Sequence, residues 1–253
     1  MEKVDKENKI VTTSKGIEVK YDICIFATGS KAFVLPIPGS NFPSVIGWRT
    51  IDDTNKMIEI AQTKKRAVVI GGGLLGLECA RGLLDQGMEV TVLHLADWLM
   101  EMQLDRKAGD MLKADLEKQG MKIELQANSK EIIGDKDVEA IKLADGQVIE
   151  TDLVVMAVGI RPYTEVAKDS GLDVNRGIVV NDYMQTSDSH IYAVGECAEH
   201  DGKVYGLVAP LYEQGKVLAD YLTGKETKGY KGSTTFTSLK AVSYTHLRAH
   251  ETG

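Results

Sequence analysis

Arg66-Ala67-Val68-Val69-Ile70-Gly71-Gly72-Gly73-Leu74-Leu75-Gly76-Leu77-Glu78 is a short apolar run that passes through glycines into a stretch of helical periodicity. Gly71, Gly73 and Gly76 stand at the G-x-G-x-x-G spacing. In that pattern the first glycine permits a tight turn, the second lets backbone approach a pyrophosphate, and the third lets the helix pack against the strand. The first N–H groups of such a helix lack partners and the helix dipole adds positive potential, so phosphates are favoured there. Alone the motif is weak, and its surroundings make it specific. Leu77 to Gln86 continues as a helix with Gly87 as its stop, and Glu89-Val90-Thr91-Val92-Leu93-His94 reads as the next strand. The stretch therefore reads as a dinucleotide-binding turn.

Length and composition bound what surrounds it. The 253 residues can hold one large or two ordinary domains, each with its own core. Charged residues make up 26% and hydrophobic ones 43%, and the net charge is −7. This acidic balance gives no electrostatic case for nucleic acid or anionic membranes, and points to small-molecule partners. The first eight residues hold no hydrophobic region of a signal peptide, and no apolar run is long enough to span a bilayer, which makes the cytoplasm the expected location. Cys24, Cys79 and Cys197 lie far apart, with no C-x-x-C pair, and read as buried small hydrophobes.

A repeat runs through the chain. Asn8 to Gly29 reads strand, turn at Gly16, strand, then an apolar strand ending Ala27-Thr28-Gly29-Ser30. Val138 to Gly159 reads the same, with its turn at Gly146 and its last strand ending Ala157-Val158-Gly159. Gly16, Asp22, Ala27 and Gly29 map onto Gly146, Asp152, Ala157 and Gly159, each 130 positions later. The same displacement would put the counterpart of Gly71 about sixty residues before Met1, so the sequence is expected to begin inside a longer protein whose first domain lacks its glycine turn here. Such a chain is expected to hold a second dinucleotide only weakly.

The remaining segments follow in order. Pro36, Pro38, Gly39 and Pro43 mark an irregular crossing. Thr50 to Thr63 reads as a helix with Thr50 as N-cap, and Asp105 to Gln119 as another, followed by a strand at Lys122 to Leu125. Ile191 to Glu199 is a strand ending in Gly195-Glu196. An acid after that glycine can accept hydrogen bonds from sugar or ribityl hydroxyls, though a plainly solvated Glu196 after a buried strand remains an alternative. Val208-Ala209-Pro210 opens a last helix.

Ala27 to Ser30, Gly71 to Glu78, Val158-Gly159-Ile160-Arg161-Pro162 and Tyr192 to Glu199, in this order, resemble the FAD-dependent pyridine-nucleotide oxidoreductases. Arg49 to Asp53, Val92 to Ala96, Asn175 to Val180 and Gly206 to Gln214 are most similar to the flavin portion of the NAD(P)H-dependent nitrite reductase large subunit. The resemblance implies an α/β fold of two Rossmann-like dinucleotide-binding domains, the NAD(P)-binding one inserted into an incomplete FAD-binding one. The implied bounds are 1–46 and 161–226 for the FAD-binding domain, 47–160 for the insertion and 227–240 for the start of a further domain.

The resemblance also implies electron transfer. NAD(P)H gives a hydride to FAD, which passes electrons to iron–sulfur and sirohaem centres in later domains absent from this sequence, or to an acceptor protein. Gly71, Gly73, Leu74, Leu75, Gly76 and Gly159 are implied contacts of NAD(P)H; Ala27, Thr28, Gly29, Arg49, Gly195, Glu196 and Val208 those of FAD. Glu78 is implied where the nicotinamide meets the flavin. No catalytic acid or base and no metal ligand is named, because the cofactors carry the chemistry. At the end of the second strand, where NAD-selective folds place Asp or Glu, this chain has His94, which leaves NADH against NADPH open and a plain surface histidine as the alternative. Rival functions are a rubredoxin or ferredoxin reductase and a non-catalytic nucleotide-binding module. Ala241 to Gly253 changes character: Val242-Ser243-Tyr244-Thr245-His246-Leu247-Arg248-Ala249-His250-Glu251-Thr252 resembles the translation of a transposase sequencing adapter and is expected to be dispensable.

Overall fold

The computed structural model describes residues 2–241, so the adapter reading of the tail lies outside the described residues apart from Ala241. The described residues form two compact units, one from 2–31 together with Ile160–Phe236, the other from Ala32–Gly159 together with 237–241.

The second unit is built on a five-stranded parallel sheet in the spatial order Val45–Gly47, Leu153–Met156, Arg66–Ile70, Glu89–Leu93, Lys122–Glu124. Counted from Arg66–Ile70, the last four run 3-2-1-4 in reverse, the Rossmann order, and the direction of winding changes between Arg66–Ile70 and Leu153–Met156. Both of these strands are continuous apolar runs because both faces are covered. Ala67, Val69, Leu153 and Val155 face a core shared with the helix residues Leu77, Ala80, Leu83, Leu112 and Leu116. Val68, Ile70, Val154 and Met156 face a second core with Ile132, Ile141 and Leu143. Alternation along a strand thus sends successive residues into two different cores.

The helices of this unit end and begin where the sequence marks them. Ile51–Ala61 starts at Thr50, which forms a capping box with Asp53, and Arg106–Lys118 starts at Asp105, whose carboxylate accepts from the Ala108 N–H. Leu74–Asp85 begins at Gly73 with no side-chain cap. Its first N–H groups therefore have no partner from a capping side chain.

The repeat is structural. In the first unit Lys3–Asp5, Ile10–Thr12 and Glu18–Lys20 form an antiparallel meander that leads into Cys24–Phe26. In the second, Ser129–Ile133, Ala140–Leu143 and Val148–Glu150 do the same and lead into Leu153–Met156. Gly16 and Gly146 turn the two hairpins with φ of +72° and +96°, a conformation that costs glycine little. The two copies differ in what flanks the last strand. All four residues of Leu153–Met156 are buried between two parallel neighbours. Cys24–Phe26 has one parallel neighbour among the described residues, Ile191–Ala193, and its Ile25 is 46% exposed.

The long C-terminal helix of the first unit, Val208–Leu222, buries Pro210, Gln214 and Leu218 at i, i+4, i+8 along one face. Pro210 lies in the first turn, where its missing N–H costs nothing. Among the described residues no helix is long and apolar enough to cross a membrane.

Candidate functional site

Parallel strands point their carboxyl ends the same way, and the loops that follow them meet at one edge of the sheet. In the second unit this edge holds a cavity of about 640 Å³ at the place where the winding reverses. Gly71, Gly72, Gly73 and Leu74 line it from the strand Arg66–Ile70, His94 and Leu95 from Glu89–Leu93, and Ala157, Val158 and Gly159 from Leu153–Met156. Of the residues expected to hold NAD(P)H, the structure brings Gly71, Gly73, Leu74, Gly159 and His94 to this one cavity.

The three motif glycines have separable tasks. Gly71 has φ +118°, and a Cβ there would lie 2.4 Å from the Ala157 carbonyl oxygen, so the turn beside the neighbouring strand excludes any side chain. A Cβ on Gly76 would lie 1.9 Å from the Gly71 carbonyl oxygen, which fixes glycine for helix-to-strand packing. At Gly73 a Cβ would meet no protein atom within 4 Å and the backbone is ordinary, with φ −85°. The protein does not itself require glycine there. The open space at the uncapped helix start fits a bound pyrophosphate, which is the ligand that would fill it.

His94 is 6% exposed, which removes the surface-histidine alternative. Its Nδ1 accepts from the Gly72 N–H at 3.0 Å, and its Nε2 lies 3.0 Å from Glu101 Oε2. The Gly72 carbonyl in turn accepts from the Met100 N–H. The middle glycine of the turn is thus held through both backbone groups, and a Cβ on it would run into the His94 ring and Leu99.

In the first unit the ends of Cys24–Phe26 and Ile191–Ala193 lie side by side. Ala27, Thr28 and Gly29 follow the first, Gly195 and Glu196 the second. Thr28 Oγ1 donates to the Tyr163 carbonyl, and the Gly29 carbonyl accepts from the Tyr163 N–H. Gly195 has φ +87°, and its N–H donates to Oε1 of the fully buried Gln214 at 3.0 Å. Glu196 is 8% exposed and accepts from Ser30 Oγ at 2.8 Å, so the solvated alternative does not hold. Val208 opens its helix at the surface, and the helix has no side-chain cap.

The other expected contacts Leu75, Glu78 and Arg49 do not line the cavity of the second unit. Leu75 is 41% exposed on the helix Leu74–Asp85, outside the cavity lining. Glu78 lies one turn further on and accepts from the Lys240 N–H. Arg49 is exposed in the second unit, its N–H donating to Asp53. Cys24, Cys79 and Cys197 are free and buried, and burial pushes the Cys79 thiol up to about 12. Sequence reasoning did not single out Ser30, Gln214 or Glu101. Ser30 and Gln214 fall inside recognised motifs, whereas nothing in the spacing of Glu101 marks it.

Two sheets that each gather glycine-containing loops at one carboxyl edge define a two-unit dinucleotide-binding protein of the Rossmann type. The family profile described as pyridine nucleotide-disulphide oxidoreductase matches residues 1–215. The chain belongs to that family. It is 58% identical over 238 residues to nitrite reductase [NAD(P)H] of Bacillus subtilis (strain 168), covering 94% of this chain and 30% of that protein. It is 40% identical over 242 residues to the nitrite reductase (NADH) large subunit of Escherichia coli (strain K12), covering 94% of this chain and 28% of that protein. Among solved structures, a ferredoxin reductase from Rhodopseudomonas palustris superposes with a TM-score of 0.85 at 30% identity, over 91% of this chain and 58% of that one. The chain therefore spans under a third of the length of those nitrite reductases.

Proposed function

We propose that this chain is the flavin-reducing part of an NAD(P)H-dependent nitrite reductase, acting in nitrate assimilation in the cytoplasm. The observation that carries the reading is the cavity at the reversal of winding, where Gly73 leaves open space in front of an uncapped helix start. There the backbone N–H groups of the Leu74–Asp85 helix would bind the pyrophosphate of NAD(P)H, Gly71 and Gly159 would let it approach, and Gly76 would keep the helix close enough to the sheet. In the first unit Ala27, Thr28, Gly29, Gly195 and Glu196 would hold FAD, with the start of the Val208–Leu222 helix serving its charged part. Glu196, a carboxylate bonded to Ser30 at this edge, would accept from a ribityl or ribose hydroxyl. Arg49, Leu75 and Glu78 are further contacts in this reading.

When bound, FAD supplies the exchange between hydride and single-electron transfer. The chain's own residues would bind, space and shield the two cofactors, and none of them is assigned a role as catalytic acid or base. Electrons would leave toward iron–sulfur and sirohaem centres of later domains, or toward an acceptor protein. In this reading an FAD-binding domain at 1–46 and 161–226 surrounds an NAD(P)-binding insertion at 47–160, with 227–240 opening a further domain, whereas the compact units divide the chain after Lys31 and before Ile160.

The test is anaerobic rapid mixing of the 253-residue chain, with FAD in excess, against NADH and NADPH. Flavin bleaching well above the rate of free FAD with the same nucleotide supports the reading. Tight nucleotide binding by calorimetry with no accelerated bleaching would favour a non-catalytic nucleotide-binding module instead.

A further inference from the structure

The ribose of a dinucleotide bound at such an edge is ordinarily read by an acid at the end of the second strand. Here that place belongs to His94, and its ring is already engaged. A backbone N–H can only donate, so the bond from Gly72 makes Nδ1 an acceptor. The proton of the neutral ring is then on Nε2, pointing at Glu101 Oε2 at 3.0 Å, and Glu101 accepts it. The ring is buried and engaged at both nitrogens, and its backbone is tied as well: the His94 N–H donates to the Glu124 carbonyl, and the His94 carbonyl accepts from Ala127.

The consequence is a relocated acid. Glu101 lies seven residues beyond His94 in sequence but lines the same cavity as the glycine turn. Its side chain is 36% exposed, and the imidazole uses one of a carboxylate's roughly four acceptor positions. Among the described residues that line this cavity Glu101 is the one charged side chain, with no lysine or arginine to meet a phosphate. We infer that Glu101, positioned by His94, reads the adenosine ribose hydroxyls of the nicotinamide dinucleotide and selects NADH against NADPH. A ribose diol donates two hydrogen bonds to a carboxylate, whereas a 2′-phosphate removes one donor and brings like charge against it. This inference rests on the reading that the cavity takes NAD(P)H.

The experiment titrates the full 253-residue chain with NADH, NADPH and the adenosine 2′-deoxy analogue of NADH, following nicotinamide fluorescence. The unaltered chain should bind NADH about tenfold or more tighter than either of the others, the loss expected for one charge-assisted hydrogen bond. In Glu101→Ala the NADH affinity should fall by about tenfold more than that of the deoxy analogue, which has only its 3′-hydroxyl bond to lose, so the two converge, and the NADPH affinity does not fall. His94→Asn should narrow the ratio of NADH to deoxy-analogue affinity, a readout that loosening of the glycine turn alone would leave unchanged. Equal weakening of NADH and the deoxy analogue in Glu101→Ala, or a preference of the unaltered chain for NADPH, overturns the inference and leaves the cavity assignment standing. Failure of the unaltered chain to bind any of the three overturns both.

Discussion

His94 Nδ1 accepts the backbone N–H of Gly72 at 3.0 Å, so a side chain at the end of one strand fixes the turn that follows its neighbour. Both groups are buried. Replacing the ring by an alkyl group would leave that N–H without an acceptor and without water. His94→Leu is expected to lose about 1–3 kcal/mol of stability. Urea unfolding followed by circular dichroism checks this, and an unmoved midpoint would mean that the turn holds its own shape.

Gly73 and Gly76 should separate ligand binding from folding. In Gly73→Val the new side chain enters open space, so stability should change by only about 1 kcal/mol, the cost of a poorer N-cap, while NADH binding is abolished. In Gly76→Val the Cβ collides with the Gly71 carbonyl, and about 3 kcal/mol or more should be lost. Calorimetry of nucleotide binding beside thermal unfolding distinguishes the two. Unchanged NADH affinity in Gly73→Val would remove the assignment of the cavity.

Asp152 ties the start of two adjacent strands together, accepting from the Arg66 N–H and from its guanidinium. Burial works to raise its carboxyl, but hydrogen bonds from the Arg66 side chain and backbone outweigh that and hold it below the usual aspartate range. A folded value below the unfolded one adds stability above the unfolded value, about 3.9, and this is lost as pH falls through the folded value. Asp152→Asn should therefore be about 1–2 kcal/mol less stable at pH 7, with the gap closing below about pH 4. A gap that stays constant from pH 7 to pH 3 would exclude the charge as its source.

Ile23 and Ile25 point from the same face of Cys24–Phe26 at 45% and 46% exposure. Two apolar side chains beside a strand that has one neighbour among the described residues invite association between copies. Ile25→Lys should lower concentration-dependent association, measured by sedimentation velocity, while changing stability by less than about 0.5 kcal/mol.

The two-unit α/β architecture was legible because it rests on short-range signals. Glycine spacing, apolar runs of strand length, Thr50 and Asp105 as caps, and a displacement of 130 positions shared by Gly16 and Gly146 are all read along the chain. The same holds for the cavity edge, since parallel strands carry the ends of Arg66–Ile70 and Leu153–Met156 to one side whatever surrounds them. Burial and side-chain partners were not legible, because they depend on residues distant in sequence. Glu196 could be solvated or buried until Ser30, 166 positions away, was found bonded to it. His94 could lie on the surface until Gly72 and Glu101 were found on its two nitrogens. Sequence by itself determined the folds of the two units and the glycine turn that lines the cavity. Only the tertiary structure decided which acid stands beside that turn, because a hydrogen bond is set by where atoms meet in space and leaves no period in the chain.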